Sequence, residues 1–542
     1  MTQVTYHCPT TLPAMVTPAV DGERAVVAER PARDPSRVAR RLGTVGTVLM
    51  GIGAFGAGAL PSPNPLFGLR ILGLPARNVT LSIAITYTGL LLLVMCWLWI
   101  GKMLRTNGAV APAPDGVQLW KTAILWATPL ALAPPLFSRD VYSYLAQSAT
   151  LARGIDPYVF PPVTALGIDD PLVRSIPNIW RDTGAPYGPL FLVLGRGITA
   201  ISGNDLVLGI FCYRVLALAG LAMIIWALPK LARRCNLDGG LVLWLGAANP
   251  IVLFHLVSGM HNEALMVGLM LVGMEIGLRA TARINDPYLL SGALLIVCAS
   301  AVKLPAALAL GFLGMDWARK RGNRIRDVAL AAGILLAVGL LVYVPLSAGL
   351  GVGIGWATTL AIPSLILSWM SITTDLGLIG GQVGIIAGLG EHTQGVLSVT
   401  RGIGLLLGAA AVAWVLWLTY RGRVDAFTGM AASLAAFVLL GPVVHPWYLL
   451  WAVIPLAATR AVPGYRRAVL AISAVLAVVV PPTGADFNFR AFQLPLAIVA
   501  GVILLLLLLA VQRQLLTGQR GYDIEMLPGR APTQHPTPPT SL

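Results

Sequence analysis

Phe137-Ser138-Arg139-Asp140-Val141-Tyr142-Ser143-Tyr144 joins the end of an apolar stretch to the longest loop that the threading below places on the outer face. A charged pair at such a junction costs free energy unless it faces water or a partner, so Arg139 and Asp140 demand a reason. Two are open for Asp140. Ser138 and Asp140 are both good helix N-caps, so Asp140 reads either as a cap or as a working carboxylate. The choice depends on which other polar residues reach the same level, and hence on how the chain is threaded.

Of the 542 residues, 56% are hydrophobic and 11% charged, and the mean hydropathy is +0.77. That excludes a soluble globular domain and predicts an all-α polytopic membrane protein. The formal charge of +15 fits Lys and Arg collected in cytoplasmic loops. No basic and aromatic cluster accompanies it, so no nucleic-acid partner is expected. Cys8, Cys96, Cys212, Cys235 and Cys298 are scattered and predict neither a disulfide framework nor a zinc site. Residues 1–41 are polar and rich in Pro and Arg, and the apolar run after them lacks a cleavage site; they read as a disordered cytoplasmic tail before a retained span.

Working outward from Asp140, span one (about 42–60) is Gly-rich, which favours close helix packing, and span two (about 79–101) ends inside at Lys102 and Arg105. Span three (about 119–137) then delivers Asp140 outside, at the start of a large outer loop, 138–204. Within that loop 188–202 is apolar enough to cross, but a crossing would put Lys230, Arg233 and Arg234 outside. An interfacial helix is therefore preferred there. The run from Tyr288 to Met315 is broken by Lys303-Leu304-Pro305 and followed by the basic loop 319–326, which predicts a hairpin of two short helices with Lys303 at its outer tip. Residues 349–396 are Gly-rich and weakly apolar, expected along the membrane, with 376–390 open as a crossing. The total is about fourteen crossings. A transmembrane domain then covers 42–511, and 512–542 reads as a disordered cytoplasmic tail.

With this threading the polar outliers gather on the outer face: Arg139, Asp140, Tyr142, Tyr144, Asp156, Arg181, Asp182, Tyr187, His261, Glu263, Lys303, His445, Trp447 and Tyr448. A convergent polar site is the default functional hypothesis. Simpler readings stand beside it. The tyrosines fit an interfacial belt, Asp156 a turn, and His261 with Glu263 a solvated bend. Lys303 needs a lipid phosphate, an internal carboxylate or a route to water. His445-Pro446-Trp447-Tyr448 suits sugar stacking or a belt. No HExxH, paired CxxC, Walker, GxSxG or DxD sequence is present, so metalloprotease, ATPase, serine hydrolase and nucleotide-sugar transferase readings lose their usual support.

The stretch SRDVYSYLAQSATLARGIDPYVFPP (138–162), with APYGP (185–189), HNEALM (261–266), VKLP (302–305) and HPWYLLW (445–451), resembles the polyprenol-phosphomannose-dependent alpha-(1,6)-mannopyranosyltransferases of the MptA and MptB type. These belong to the GT-C superfamily, and the resemblance runs from about residue 40 to 510. It implies a GT-C bundle with interfacial helices in the outer loops, a polyprenyl phosphomannose donor and a mannosylated glycolipid acceptor. It also implies a place in the plasma membrane with the site outside and both termini cytoplasmic, building lipomannan and lipoarabinomannan. The family's catalytic Asp carries over to Asp140, although two spans precede the one leading into it, whereas many relatives place it after the first. Lys303, Arg139 and His261 are then expected at the donor phosphate, and Tyr142, Tyr187, Glu263, His445 and Trp447 at the sugars. No cofactor and no metal are expected. Another polyprenyl-phosphate sugar, glucose or arabinose, stays open, as does a lipid-linked glycan flippase. Transport predicts polar residues through the membrane depth and a pseudo-repeat, and neither is found.

Overall fold

The structure is a computed structural model describing residues 34–106, 113–203, 205–360, 362, 366–460, 463–484 and 493–525. Among the described residues helices dominate and no strand occurs, as a chain without water for its backbone groups requires. Most of residues 1–41 and 526–542 lie outside the described residues.

α1 (Pro35–Ala57) starts ahead of the expected boundary because Asp34 caps it, accepting from Ser36 N at 3.0 Å, with Pro35 in the first turn. It packs on α2 (Val79–Arg105) through glycine: a Cβ on Gly46 would lie 2.6 Å from Gly89 O. This is the close packing expected of a Gly-rich first span. α3 (Gly116–Leu132) runs beside α1 and ends at Ala133-Pro134-Pro135. The chain then turns through Phe137 at φ 66° into α4 (Asp140–Ala152).

α5 (Pro189–Ser202) begins where Gly188 N donates to Val302 O at 3.0 Å, and ends beside the start of α6 (Leu206–Arg234), where Asp205 N donates to Ser202 O. Both its ends stay at one end of the bundle, so it does not run across. The expected single span 240–258 is bent by 50° between α7 (Gly239–Gly246) and the stretch Pro250–Ser258. Asn249, whose side chain accepts from Ile251 N, restarts the helix at Pro250.

α8 (Glu263–Gly277) packs along α9 (Pro287–Val302), where Gly273, Gly277 and Gly292 meet. After Lys303, whose backbone is extended (φ −153°, ψ 123°), a short turn at Leu304–Ala307 leads into α10 (Leu308–Arg321). α10 ends back at the loop before α9: Trp317 Nε1 donates to Arg283 O at 3.2 Å and Arg321 to Ala282 O at 2.6 Å. The hairpin with Lys303 at its tip is as expected.

α11 (Ile325–Leu350) precedes the region expected along the membrane with 376–390 open as a crossing, and this region contains α12 (Ile372–Ile386), folded back on α13 (Thr393–Tyr420). A Cβ on Gly381 would lie 2.4 Å from Thr393 Oγ1, so the two helices nearly touch. α14 (Ala426–Leu440), α15 (Leu450–Ala457), α16 (Pro463–Val479) and α17 (Gln493–Glu525) complete the bundle, with α17 continuing past the expected end at 511.

By length and apolarity five described helices can cross a membrane, α2, α6, α11, α13 and residues 493–510 of α17, or six with the bent pair. The expected count of about fourteen is not reached. The reason is local: α8, α9, α10 and α14, all expected to cross, are only 14–16 residues long. At 1.5 Å per residue they span about 21–24 Å, less than the ~30 Å hydrocarbon core.

The bundle is polarised. Arg234 and Arg279 share Glu275 (2.9 and 2.8 Å), Lys320 reaches Ala280 O, Tyr420 reaches Asn323 O, and Arg460 reaches Cys235 O. The basic loops thus meet at one end. The turns carrying Asp140, His261, Lys303 and His445 meet at the other.

Candidate active site

At that other end lies a cavity of about 370 Å³. Asp140, Tyr187, Lys303, His445, Trp447 and Tyr448 line one part of it. Ile366, Leu405, Phe437 and Val438 line another, and Leu405 (51% exposed) and Phe437 (37%) also sit on the outer surface. The cavity therefore joins a charged pocket to an apolar cleft that opens sideways between helices.

Asp140 is the first residue of α4, after Arg139 at the N-cap, and Ser138 Oγ accepts from Asp140 N at 3.0 Å. The carboxylate is left for the cavity, with Asp140 9% exposed. Its Oδ2 lies 3.2 Å from His261 Nδ1, although the approach is off the line of a well-directed hydrogen bond. Burial pushes the Asp140 carboxyl up; the His261 ring beside it, and Lys303 beyond, more than offset this and hold it below the ordinary carboxylate range. Trp447 stacks on His261 at 3.9 Å and on His445 at 4.5 Å. Burial, opposed in part by Asp140, brings His445 down to about 4, so its ring is neutral at pH 7.

Lys303 follows the last turn of α9 and pairs with Glu263, an internal carboxylate with no exposed surface. Its Nζ also sits over the rings of Tyr448 (4.5 Å) and Trp451 (5.5 Å). Tyr187 stands edge-on to Tyr144 at 5.1 Å, and Tyr158 Oη holds its carbonyl at 2.8 Å.

Six of the residues singled out in the sequence therefore line the cavity: Asp140, Lys303, Tyr187, His445, Trp447 and Tyr448. His261 and Glu263 lie behind its wall, 1% and 0% exposed. Arg139 and Tyr142 are turned away from it. Arg139 donates to Ser175 O (3.0 Å) and Leu60 O (2.7 Å), and Tyr142 Oη donates to Ala59 O (2.7 Å). The two fasten α4 to the loop after α1. Asp156 serves its turn, accepting from Tyr158 N at 2.8 Å, and Arg181 binds Ile176 O. Trp180 and Trp451 also line the cavity. Trp451 closes the HPWYLLW stretch and was legible there as aromatic surface; Trp180 carried no signal beyond being a tryptophan in the outer loop. Among the described residues no three His, Cys, Asp or Glu side chains form a metal-ligating cluster.

Fold and site together define an all-helical membrane protein with an acid and a cation facing one cavity. Residues 40–319 match the family described as alpha-(1->6)-mannopyranosyltransferase, N-terminal domain, and residues 373–510 match the MptB C-terminal domain. A Mycolicibacterium smegmatis protein named "Probable alpha-(1->6)-mannopyranosyltransferase" is 43% identical over 497 residues, covering 88% of each chain. An alpha-(1->6)-mannopyranosyltransferase of Mycobacterium tuberculosis is 40% identical over 517 residues, 87% of each. Alpha-(1->6)-mannopyranosyltransferase B of Corynebacterium glutamicum is 37% identical over 461 residues, 82% of this chain and 77% of that one. No solved structure matches. The chain belongs to the alpha-(1->6)-mannopyranosyltransferase family and is a membrane mannosyltransferase.

Proposed function

We propose that the protein moves mannose from polyprenyl phosphomannose to the 6-hydroxyl of a mannosylated glycolipid, with inversion, extending the alpha-(1,6)-mannan of lipomannan and lipoarabinomannan. The supporting observation is the cavity itself: Asp140 and Lys303 at its polar part, and an apolar cleft past Leu405 and Phe437 that suits a prenyl chain. Such a substrate carries a charged head and a long apolar tail.

The acceptor O6 attacks the anomeric carbon from the face opposite the phosphate. The C1–O6 bond forms, the C1–O bond to phosphate breaks with its electron pair, and Asp140 takes the O6 proton. The leaving polyprenyl phosphate has a second pKa of about 6, so no general acid is required. Its growing charge calls for a cation in a site shielded from water, and Lys303 supplies it. Tyr187 and Trp447 offer faces to the sugars, and His445 a neutral ring nitrogen to a hydroxyl. No metal or cofactor is assigned to the step. The bundle is a GT-C-type transferase in the plasma membrane, with the site on the outer side, opposite the arginine-rich loops, and both termini cytoplasmic.

The test is transfer of labelled mannose from polyprenyl phosphomannose to a short alpha-mannoside in membranes holding the protein. Transfer that requires Asp140 is expected. Wild-type membranes that pass glucose or arabinose but not mannose, or Asp140→Asn membranes as active as wild type, overturn the reading.

A further inference from the structure

The turn Met260-His261-Asn262-Glu263 separates the bent span from α8 and holds Met260 in the left-handed region at φ 52°. Its polar side chains have almost no surface: His261 is 1% exposed, Asn262 4% and Glu263 0%. Yet it is in contact with both charged residues that line the cavity. His261 Nδ1 lies 3.2 Å from Asp140 Oδ2, and Glu263 pairs with the Lys303 ammonium. The two gripping residues are two positions apart on one chain segment, whereas the groups they hold come from helices far apart in sequence.

The segment cannot easily shift. His261 N donates to His255 O at 3.1 Å, and Asn262 N approaches Tyr144 Oη at 3.4 Å. One face of the His261 ring lies on Trp447 at 3.9 Å, and Trp447 is itself stacked on His445. A ring packed this way keeps the same edge toward Asp140. Glu263 opens α8, so its position follows from the helix that the turn starts.

We propose that this turn is a bracket that sets the spacing and charge of the two working groups: His261 positions the Asp140 carboxylate, Glu263 positions the Lys303 ammonium, and neither touches substrate. The assignment rests on the transfer reaction proposed above. It separates both residues from the substrate-binding roles that their polar character suggests in the sequence. The His261 ring, with Nδ1 3.2 Å from Oδ2, favours the ionised carboxylate in a site where burial alone disfavours it. Glu263 keeps a buried ammonium charged until a donor phosphate arrives.

The two halves of the bracket leave different signatures in the pH dependence of kcat/KM for donor, measured in membranes with rates normalised to folded protein by fluorescence-detected gel filtration. His261→Gln moves the acid limb up by about one pH unit or more, because the carboxylate loses its neighbour, and leaves donor KM unchanged. Glu263→Gln moves the alkaline limb down, because a buried ammonium without its carboxylate gives up its proton more readily, and leaves the acid limb in place. Glu263→Asp and His261→Asn serve as second variants; an aspartate returns the alkaline limb toward wild type, since it restores the charge.

A His261→Gln enzyme whose donor KM rises with an unmoved acid limb puts His261 on the phosphate and overturns the bracket. So does a Glu263→Gln enzyme whose acceptor KM alone rises, which puts Glu263 on the sugar. Failure of the underlying reading looks different, since wild-type membranes then show no mannosyl transfer from this donor at any pH.

Discussion

Oδ2 of Asp140 and Nδ1 of His261 lie 3.2 Å apart, with the carboxylate on the cavity side and the imidazole behind it. A carboxylate backed this way is held ready as a base without being consumed as a helix cap, since Asp140 lies one residue past the N-cap, Arg139.

Removing the base tests this first. Asp140→Asn lowers transfer by about 10²–10⁴-fold, the usual range for a general base, while the protein still extracts and migrates as wild type. The comparison of initial rates in membranes with gel-filtration profiles in detergent checks both halves.

The acid limb of the wild-type rate has a direction. Because the folded Asp140 carboxyl lies below its ordinary value, it stays ionised through the normal carboxylate range. Activity therefore persists to lower pH than an unperturbed aspartate allows and falls only as pH passes through the lowered value. The same sign holds for stability: the contribution is present above the unfolded value and is lost as pH falls through the folded one. An acid limb lying above the ordinary aspartate range contradicts the geometry.

Lys303 and Glu263 form a pair in which each protects the other. Lys303→Met leaves Glu263 enclosed without a counter-charge and costs about 3–5 kcal/mol, whereas Lys303→Met with Glu263→Gln costs much less. Thermal unfolding of the two purified variants checks the order. Both have weakened donor binding, so Tm and donor KM do not rank the variants alike.

Arg139 was expected at the phosphate but holds Ser175 O and Leu60 O. Arg139→Gln therefore costs about 1.5–3 kcal/mol of stability, typical of hydrogen bonds to a charged group and read as a lower Tm, and leaves donor KM within twofold of wild type. A tenfold rise in donor KM at unchanged Tm returns it to the phosphate.

The side opening can be narrowed. Leu405→Trp adds bulk where the apolar part of the cavity meets the outer surface. Donor KM rises more for a long prenyl chain than for a short, water-soluble one. Equal effects on both donors place the chain elsewhere.

Much of this site could be read from the chain, and the exceptions have physical causes. The break at Lys303-Leu304-Pro305 was visible because proline and a mid-span charge both disfavour a continuous helix. The gathering of basic loops at one end followed from orientation. What local sequence hides is direction around a helix: Asp140 and Tyr142 are two residues apart on α4, which turns them about 200° from each other, so one meets the cavity and the other Ala59. Nor does spacing reveal that the partner of Lys303 is Glu263, because that contact depends on α8 and α9 lying side by side. Length and apolarity support five or six of the expected crossings among the described residues, because an apolar window of about twenty residues ignores the breaks that leave α8, α9, α10 and α14 short.

Both legs of the α9–α10 hairpin are fastened at the far end, by Trp317 to Arg283 and by Arg321 to Ala282. Leg length therefore sets how far the ammonium reaches. Deleting one residue from α9 withdraws Lys303 by about 1.5 Å and swings it about 100° around the leg, away from Glu263 and the mouth of the cleft, whereas exchanging one apolar side chain for another there does neither. Insertions and deletions in this hairpin are thus far more damaging than substitutions.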